Sequence, residues 1–455
     1  MATSPRIRLT EAEKDALLLE QAALIERMAA RIAELEALVG KPRKTSSNSS
    51  IPPSQDGPGR QKRDRKQPRE PRPSRPGSAR RLTEAPDKAE RCLVDGCPHC
   101  GAAVAEAAQR CRQRYDHIDL PIIRAVVTRV EVFGGRCRDC GRRYRAPTPP
   151  AMPPGTPFGP GIRALLADLH HSHHVGFERL SRMLKELFGL TLSEAAIANA
   201  LRRMETTLAT ACAAIRARLL EARVLASDKT TTRIDGVTHW QWVFVSDTAI
   251  LHEIAPSRGR GVAAAVLDGH RPEVWVSDRY AGQQELGQAH QVCLAHVLRD
   301  VQYAIDCGDT VVAPKIRDLL RWTIRIGKRR PTLKDSTLAV YAAQAERRLD
   351  RLLGPPVLGP PAAHPAGREL QRQIKAWRGK FFVFLQDRRV PPTNNVSERE
   401  IRPSVVFRKV TNGFRSTWGA KIHAGYRSVT GTARLKGTTA LQAVRALIDG
   451  AFAIA

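Results

Sequence analysis

The sequence predicts a multidomain α+β protein, and three observations carry that prediction. Two apolar runs, Val224-Leu225-Ala226-Ser227 and Val274-Trp275-Val276-Ser277, read as strands, and an aspartate closes each, Asp228 and Asp278. Two Cys-x-x-Cys pairs, Cys97/Cys100 and Cys137/Cys140, mark a small metal module ahead of them. Apolar residues at helical spacing fill much of the remainder. In order, the chain divides into a coiled-coil helix (1–40), a basic Pro/Ser/Arg-rich linker (41–90), a zinc-binding unit (91–147) and a helical unit (155–222). A first part of an α/β core (223–300), a helical insertion (301–389), a Glu-bearing second part of the core (390–424) and a closing helical segment (425–455) follow.

Charge narrows the partner. Lys and Arg total 74 against 45 Asp and Glu, a formal +29, and so basic a chain attracts polyanions through counterion release. DNA or RNA is the expected partner. No uncharged apolar run approaches the roughly 20 residues that span a bilayer, and the N-terminus has no signal-peptide pattern, so a cytoplasmic location without membrane contact is expected. Nine Cys, several in tight pairs, fit metal binding better than disulfides in that setting.

Leu18, Ile25, Ile32 and Val39 recur every seven residues, with Met28 and Leu35 between them. They form the a/d seam of a short coiled coil that would join at least two copies of the chain, although the same seam also suits a helix packed on its own protein. Gly40 and Pro42 end it. From Lys41 to about Glu90 no apolar periodicity exists, and ten Lys or Arg between Arg60 and Arg81 face only Asp64 and Glu70. Such a stretch buries too little to order itself and reads as a disordered basic arm.

The knuckles Cys97-Pro98-His99-Cys100 and Cys137-Arg138-Asp139-Cys140-Gly141, with strands expected within Ile122 to Phe133, predict a zinc ribbon holding structural Zn²⁺ by four thiolates. Cys92, Cys111 and His99 are spare ligands. Next, Ile162, Leu165, Leu166 and Leu169 mark one helix and Leu180, Met183, Leu184 and Leu187 a second; Gly189 to Ser193 then turn into a third. That order suits a helix-turn-helix DNA reader and equally suits generic helical packing. His170, His171, His173 and His174 are adjacent on a helix and point in different directions, so a shared metal is not expected there.

After Asp228, a strand, the Asp235-Gly236 turn and a second strand predict a hairpin. A third strand at Leu251 to Ile254, a helix at Gly261 to Leu267, the strand ending at Asp278 and a short strand at His290 to Cys293 complete a ribonuclease H-like order. In that order the first and fourth strands are neighbours, which brings Asp228 to Asp278. Glu398, in Asn394-Asn395-Val396-Ser397-Glu398, opens a helix. Three carboxylates so placed suit two Mg²⁺ (or Mn²⁺) ions, because phosphodiester chemistry needs an activated attacking oxygen and a stabilised leaving oxygen. His296 and Arg299, one helical turn apart, would face the same site, and Arg399, Arg402, Arg408 and Lys409 would guide a DNA backbone across it.

Several segments resemble transposases of the insertion sequence 66 family. They are Lys44 to Asp56 with its Pro52-Pro53-Ser54, the two-knuckle module, Asp228 followed by Thr230, and Val276-Ser277-Asp278 with Tyr280. Cys293-Leu294-Ala295-His296-Val297-Leu298-Arg299, Asn394 to Arg399, Ile401-Arg402-Pro403, Arg408-Lys409 and Gly425-Tyr426-Arg427-Ser428 continue the likeness over nearly the whole chain. The resemblance implies a DDE transposase in the bacterial cytoplasm, associated with the nucleoid. Asp228, Asp278 and Glu398 match its triad, the helix at the start its zipper, and transposon inverted repeats and target DNA its substrates, with accessory proteins of the element as further partners. Lys229 departs from the pattern, standing where the family commonly has Glu. Two other readings of the residues remain: a non-catalytic DNA-binding protein, and a ribonuclease H-like structure-selective nuclease.

Overall fold

Alternating side chains on a five-stranded mixed sheet divide the structure into two main cores, beside a third small cluster of Ile234, Phe407, Phe414 and Ala420. The computed structural model describes residues 10–39, 42, 44–49, 56, 80–155, 157–354 and 364–453. Most of the basic arm, the side chains of Ile32, Leu35 and Val39, and the Pro-rich loop 355–363 lie outside the described residues. In chain order come helix α1 (Glu11–Val39), strands β1 (Gly134–Arg136) and β2 (Arg143–Arg145), and helices α2 (Pro160–His171), α3 (Phe177–Phe188), α4 (Glu194–Arg202) and α5 (Glu205–Leu220). The sheet region holds β3 (Val224–Ile234), β4 (Val237–Val245), β5 (Ile250–Ala255), α6 (Arg260–Leu267), β6 (Val274–Ser277) and β7 (Ala289–Val292). There follow α7 (Leu294–Asp306), α8 (Val312–Arg329), α9 (Asp335–Leu353), α10 (Pro365–Ala376), α11 (Val383–Gln386), α12 (Asn395–Thr411), α13 (Thr417–Leu435) and α14 (Ala440–Ile448).

The strand order is β5-β4-β3-β6-β7, antiparallel from β5 to β3 and parallel from β3 to β7. The first and fourth strands of this sheet are therefore neighbours, as expected. Asp235 and Gly236 both take positive φ, 48° and 76°, which is the tight hairpin turn an Asp-Gly pair favours. Leu225, Trp242, Phe244 and Trp275 enter one core with α2, α4, α5, α6 and α13. Their neighbours Ala226, Val243, Val245 and Val276 enter the other with α7, α8, α9 and α10. Each fully buried Leu, Val or Phe contributes about 1.5–3 kcal/mol, so both faces are firmly held.

Several expectations change. Asp228 lies inside β3, because β4 continues to pair as far as Ile234; the partner that stops is β6, whose pairing with β3 ends at Ala226. Ile122 to Phe133 forms no strand, and Ile122, Val126 and Val127 are over four-fifths exposed. Alternation there has no partner strand to bury it, and the hairpin of this region is β1 with β2 around the second knuckle. The helical unit shares its core with the sheet and is not packed as a separate body. α13 runs across the expected boundary at residue 425. Within the stretch expected to lack order, residues 45–48 make a turn from which Asn48 donates to Asp306 of α7 at 2.9 Å. Helix, Gly189 turn and Ser193-capped helix are present as α3 and α4. No helix among the described residues is long and apolar enough to cross a membrane.

The exposed edge of β5 is covered by α13. Ser428 accepts from the His252 amide at 2.8 Å, and Thr432 accepts from the Ile250 amide at 3.0 Å and donates back to its carbonyl at 3.1 Å. An open sheet edge invites pairing with other chains, and these hydroxyls close it. Thr432→Val keeps the shape and orphans the Ile250 amide, so a loss of about 1–3 kcal/mol in urea unfolding is expected, with faster hydrogen exchange at that amide.

Candidate active site

Extending the β3–β6 register, in which Ala226 faces Val276, by two residues sets Asp228 opposite Asp278. Glu398 comes toward them from the first turn of α12, near enough for its charge to act on Asp228, but the three carboxylates do not gather within 4.8 Å of one another; Glu398 does so with Cys293 and His296. That helix is anchored by Asn394, which is buried. Its side chain does not cap the helix; Nδ2 donates to the Ser227 carbonyl at 2.8 Å and the backbone amide donates to Cys293 Sγ at 3.1 Å. Leu294 N donates to Pro392 O at 3.1 Å. One residue thus ties the Glu-bearing helix to β3 beside Asp228 and to the start of α7.

Burial, and then the charge of Asp278, raise the Asp228 carboxyl from 3.8 to about 7; Glu398 adds to the rise, while the Lys229 amide, donating to Oδ1 at 2.8 Å, and the Lys229 charge oppose it. Asp278 accepts at Oδ1 from the Tyr280 amide at 3.1 Å and from Gln283 at 3.2 Å. Lys229 faces away from Asp228, toward Trp242, yet its chain is long enough to set Nζ 3.2 Å from Asp278 Oδ2 and 4.3 Å from the centre of the Tyr280 ring. This side chain, only 7% exposed, is the cation that Asp278 has in the structure.

His296 Nδ1 stands 3.8 Å from Glu398 Oε1, and both atoms are buried without a hydrogen-bond partner. Burial, and then Arg299, lower the imidazole from its ordinary range, while the Glu398, Asp278 and Asp300 charges work against them. Cys293, His296 and Glu398 present one ligand atom each within 4.8 Å of one another, and among the described residues they are the one group of three or more such side chains. Cys293 had no predicted role, and a lone thiol carries no spacing that could have revealed one. Of the basic residues on α12, Arg399, Arg402 and Lys409 are exposed, while Arg408 turns inward onto the Thr231 carbonyl and hydroxyl.

Each Cys knuckle is formed on its own. Gly101 and Gly141 take φ of 74° and 67°, and their amides return to the Cys97 and Cys137 carbonyls at 2.8 and 3.0 Å. Hydrogen bonds from the knuckle backbone lower the Cys97 and Cys137 thiols. The four sulfurs are not gathered into a single group.

A mixed sheet carrying acids at neighbouring strand positions, in a strongly basic chain, suits a protein that processes nucleic acid. The chain is a member of the transposase IS66 family, which it matches over residues 155–422. That span holds Asp228, Asp278, His296 and Glu398, and excludes both Cys knuckles and α1. No match is found among curated proteins.

The raised Asp228 value fixes a pH dependence. Between 3.8 and about 7 the unfolded carboxyl ionises and the folded one resists, so this residue costs stability as pH rises, fully above about 7. Asp228→Asn should therefore raise the metal-free melting temperature at about pH 8 and lose that advantage toward about pH 4. Equal shifts at both would refute the burial of charge at this position.

Proposed function

We propose that this protein is a DDE transposase with a ribonuclease H-like core. In this reading it hydrolyses a phosphodiester at transposon ends and then uses the freed 3′ hydroxyl to attack target DNA. The observation that supports it is the placing of Asp228 and Asp278 on neighbouring strands, with the Glu398 helix near enough for its charge to act on Asp228. The acids suit divalent metal: burial, and then the charge of Asp278, raise the Asp228 carboxyl to about 7, and Glu398 Oε1 and His296 Nδ1 are left without partners. Asp228, Asp278 and Glu398 would hold Mg²⁺ or Mn²⁺, which when bound would activate the attacking oxygen and stabilise the leaving one. His296 would orient water or take a proton at Nδ1, and Arg299 beside it would hold the scissile phosphate. Arg399, Arg402 and Lys409 lie exposed on the Glu398 helix and would steer the duplex.

Lys229 sets a condition on this chemistry. Its ammonium takes both Asp278 oxygens, at 3.2 and 3.5 Å, and must withdraw before a divalent ion can use them. Lys229→Gln should therefore bind Mg²⁺ more tightly than wild type in calorimetry, with Lys229→Arg unimproved; unchanged affinity in Lys229→Gln would remove this competition. The same contact favours the second reading, a DNA-binding protein without cutting activity.

The four knuckle cysteines, with lowered thiols on two of them, would hold structural Zn²⁺ once the two turns close together. Exposed Leu18, Ile25 and Met28 on α1 support pairing of two copies through the coiled coil.

Labelled DNA carrying the inverted repeats that flank the gene tests the function. Wild type with Mg²⁺ should cut and join it, and Asp278→Ala should lose roughly a hundredfold or more of both activities while still binding. Binding without cutting under any divalent ion, by folded protein, would select the non-catalytic reading. Cutting without joining would select a nuclease.

A further inference from the structure

Beyond the acids, on the far side of α12, the structure holds a basic groove that ends in a buried, unpaired arginine. Arg427, Thr430 and Arg434 share one face of α13 by their spacing. They line a cavity of about 310 Å³ closed by Ser172, Thr438 and Thr439. Arg427 is 4% exposed, and its Nε and Nη2 are buried without any hydrogen-bond partner. A guanidinium left so is costly, since its N–H groups have given up water for nothing.

The charges around it do not balance. Glu400 is the acid that bears on Arg427, and it is already ion-paired with Arg434, whose own charge pushes against Arg427. One carboxylate thus serves two guanidinium groups. His174, His252 and His423 are all held below the ordinary imidazole range, by burial first and then by Arg427. Thr439 caps α14, its hydroxyl accepting from the Gln442 amide and its own amide donating to the Gln442 side chain, and the positive end of that helix lies at the cavity mouth. The cavity continues past Ser172 and Arg434 into a second of about 680 Å³, lined by Arg399, Arg402 and His174. The groove therefore runs from exposed arginines on the Glu398 helix down to Arg427.

We propose that Arg427, Arg434 and the start of α14 form a phosphate-binding pocket that takes one backbone phosphodiester of DNA lying along α12. The ligand chemistry is a tetrahedral phosphate oxyanion; Arg427 lines the cavity, and a turn of its side chain would bring the buried, unpartnered Nε and Nη2 to face such a ligand. The assignment to DNA rests on the nucleic-acid reading of the protein; the pocket itself does not rest on catalysis by the acids.

The test uses the full chain, with Arg427→Met as the main variant and Arg434→Gln, which is half exposed and tolerant, as the second. Thermal melts compare phosphate with chloride buffer at equal ionic strength. Binding of a generic DNA duplex is followed against salt. Wild type should melt higher in phosphate. Arg427→Met should lose that shift and melt at or above wild type in chloride, because an unmatched buried charge has been removed. Its salt slope for DNA should fall by about 0.9, one phosphate contact. Arg434→Gln should reduce the phosphate shift without abolishing folding. An unchanged phosphate shift in Arg427→Met, or a melting point lowered equally in both buffers, would make Arg427 a structural residue and overturn the pocket. A lost phosphate shift with an unchanged DNA slope would overturn the DNA assignment and leave a site for free phosphate. None of these readings uses cutting, so they stand apart from failure of the acid triad.

Discussion

Three residue pairs, Val224 with Val274, Leu225 with Trp275 and Ala226 with Val276, tie β3 to β6, and the positions of all the acids follow from them. Because side chains alternate along a strand, a slip of β3 by one residue would exchange Asp228 for Lys229 at the site and send Leu225 to the wrong core. The third acid takes its bearing from the same place. Asn394 hooks onto the carbonyl of Ser227, the residue just past the paired segment, so α12 is aligned to the strand rather than to the helices around it. The β3–β6 pairing itself is held from both faces, by Trp275 with Leu225 on one and by Val276 with Ala226 on the other.

Two opposite imbalances of charge lie on either side of α12. Toward the sheet, burial and the neighbouring carboxylates raise Asp228 to about 7, and the chain's own Lys229 offsets part of the excess. Away from it, guanidinium groups crowd around Glu400, and Arg427 has no hydrogen-bond partner at two nitrogens. In the readings proposed above, a divalent cation would complement the first and a phosphate the second, and metal-bound DNA would supply both together. The formal +29 of the chain alone would attract any polyanion; these two local imbalances are what could give that attraction a register.

Much of this was legible in the sequence where local chemistry is decisive. The runs ending at Asp228 and Asp278 are apolar for four residues, the Asp235-Gly236 pair allows few other turns, and Glu398 follows a helix start. What was illegible depended on reach or on distance along the chain. Lys229 and Arg408 have side chains long enough to leave the direction their backbone assigns, one to Asp278 and the other to Thr231. The union of the helical unit with the sheet is carried by contacts such as Tyr426 with Asp168, 258 positions apart, which leave no local pattern. Ile122 to Phe133 alternates like a strand, but alternation predicts a strand only if a partner exists to bury one side.

The insertion between β7 and α12 also sets an order in time. At ribosomal rates of roughly 5–20 residues per second, the 120 positions from Asp278 to Glu398 take on the order of 10 seconds to make. For that interval the nascent protein can pair its sheet and set Lys229 against Asp278, yet it has neither the third carboxylate nor the Asn394 hook. A chain stopped within the insertion would carry two of its three acids and no means of completing them. Of the three acids, the one that completes the set is thus the last to be synthesised.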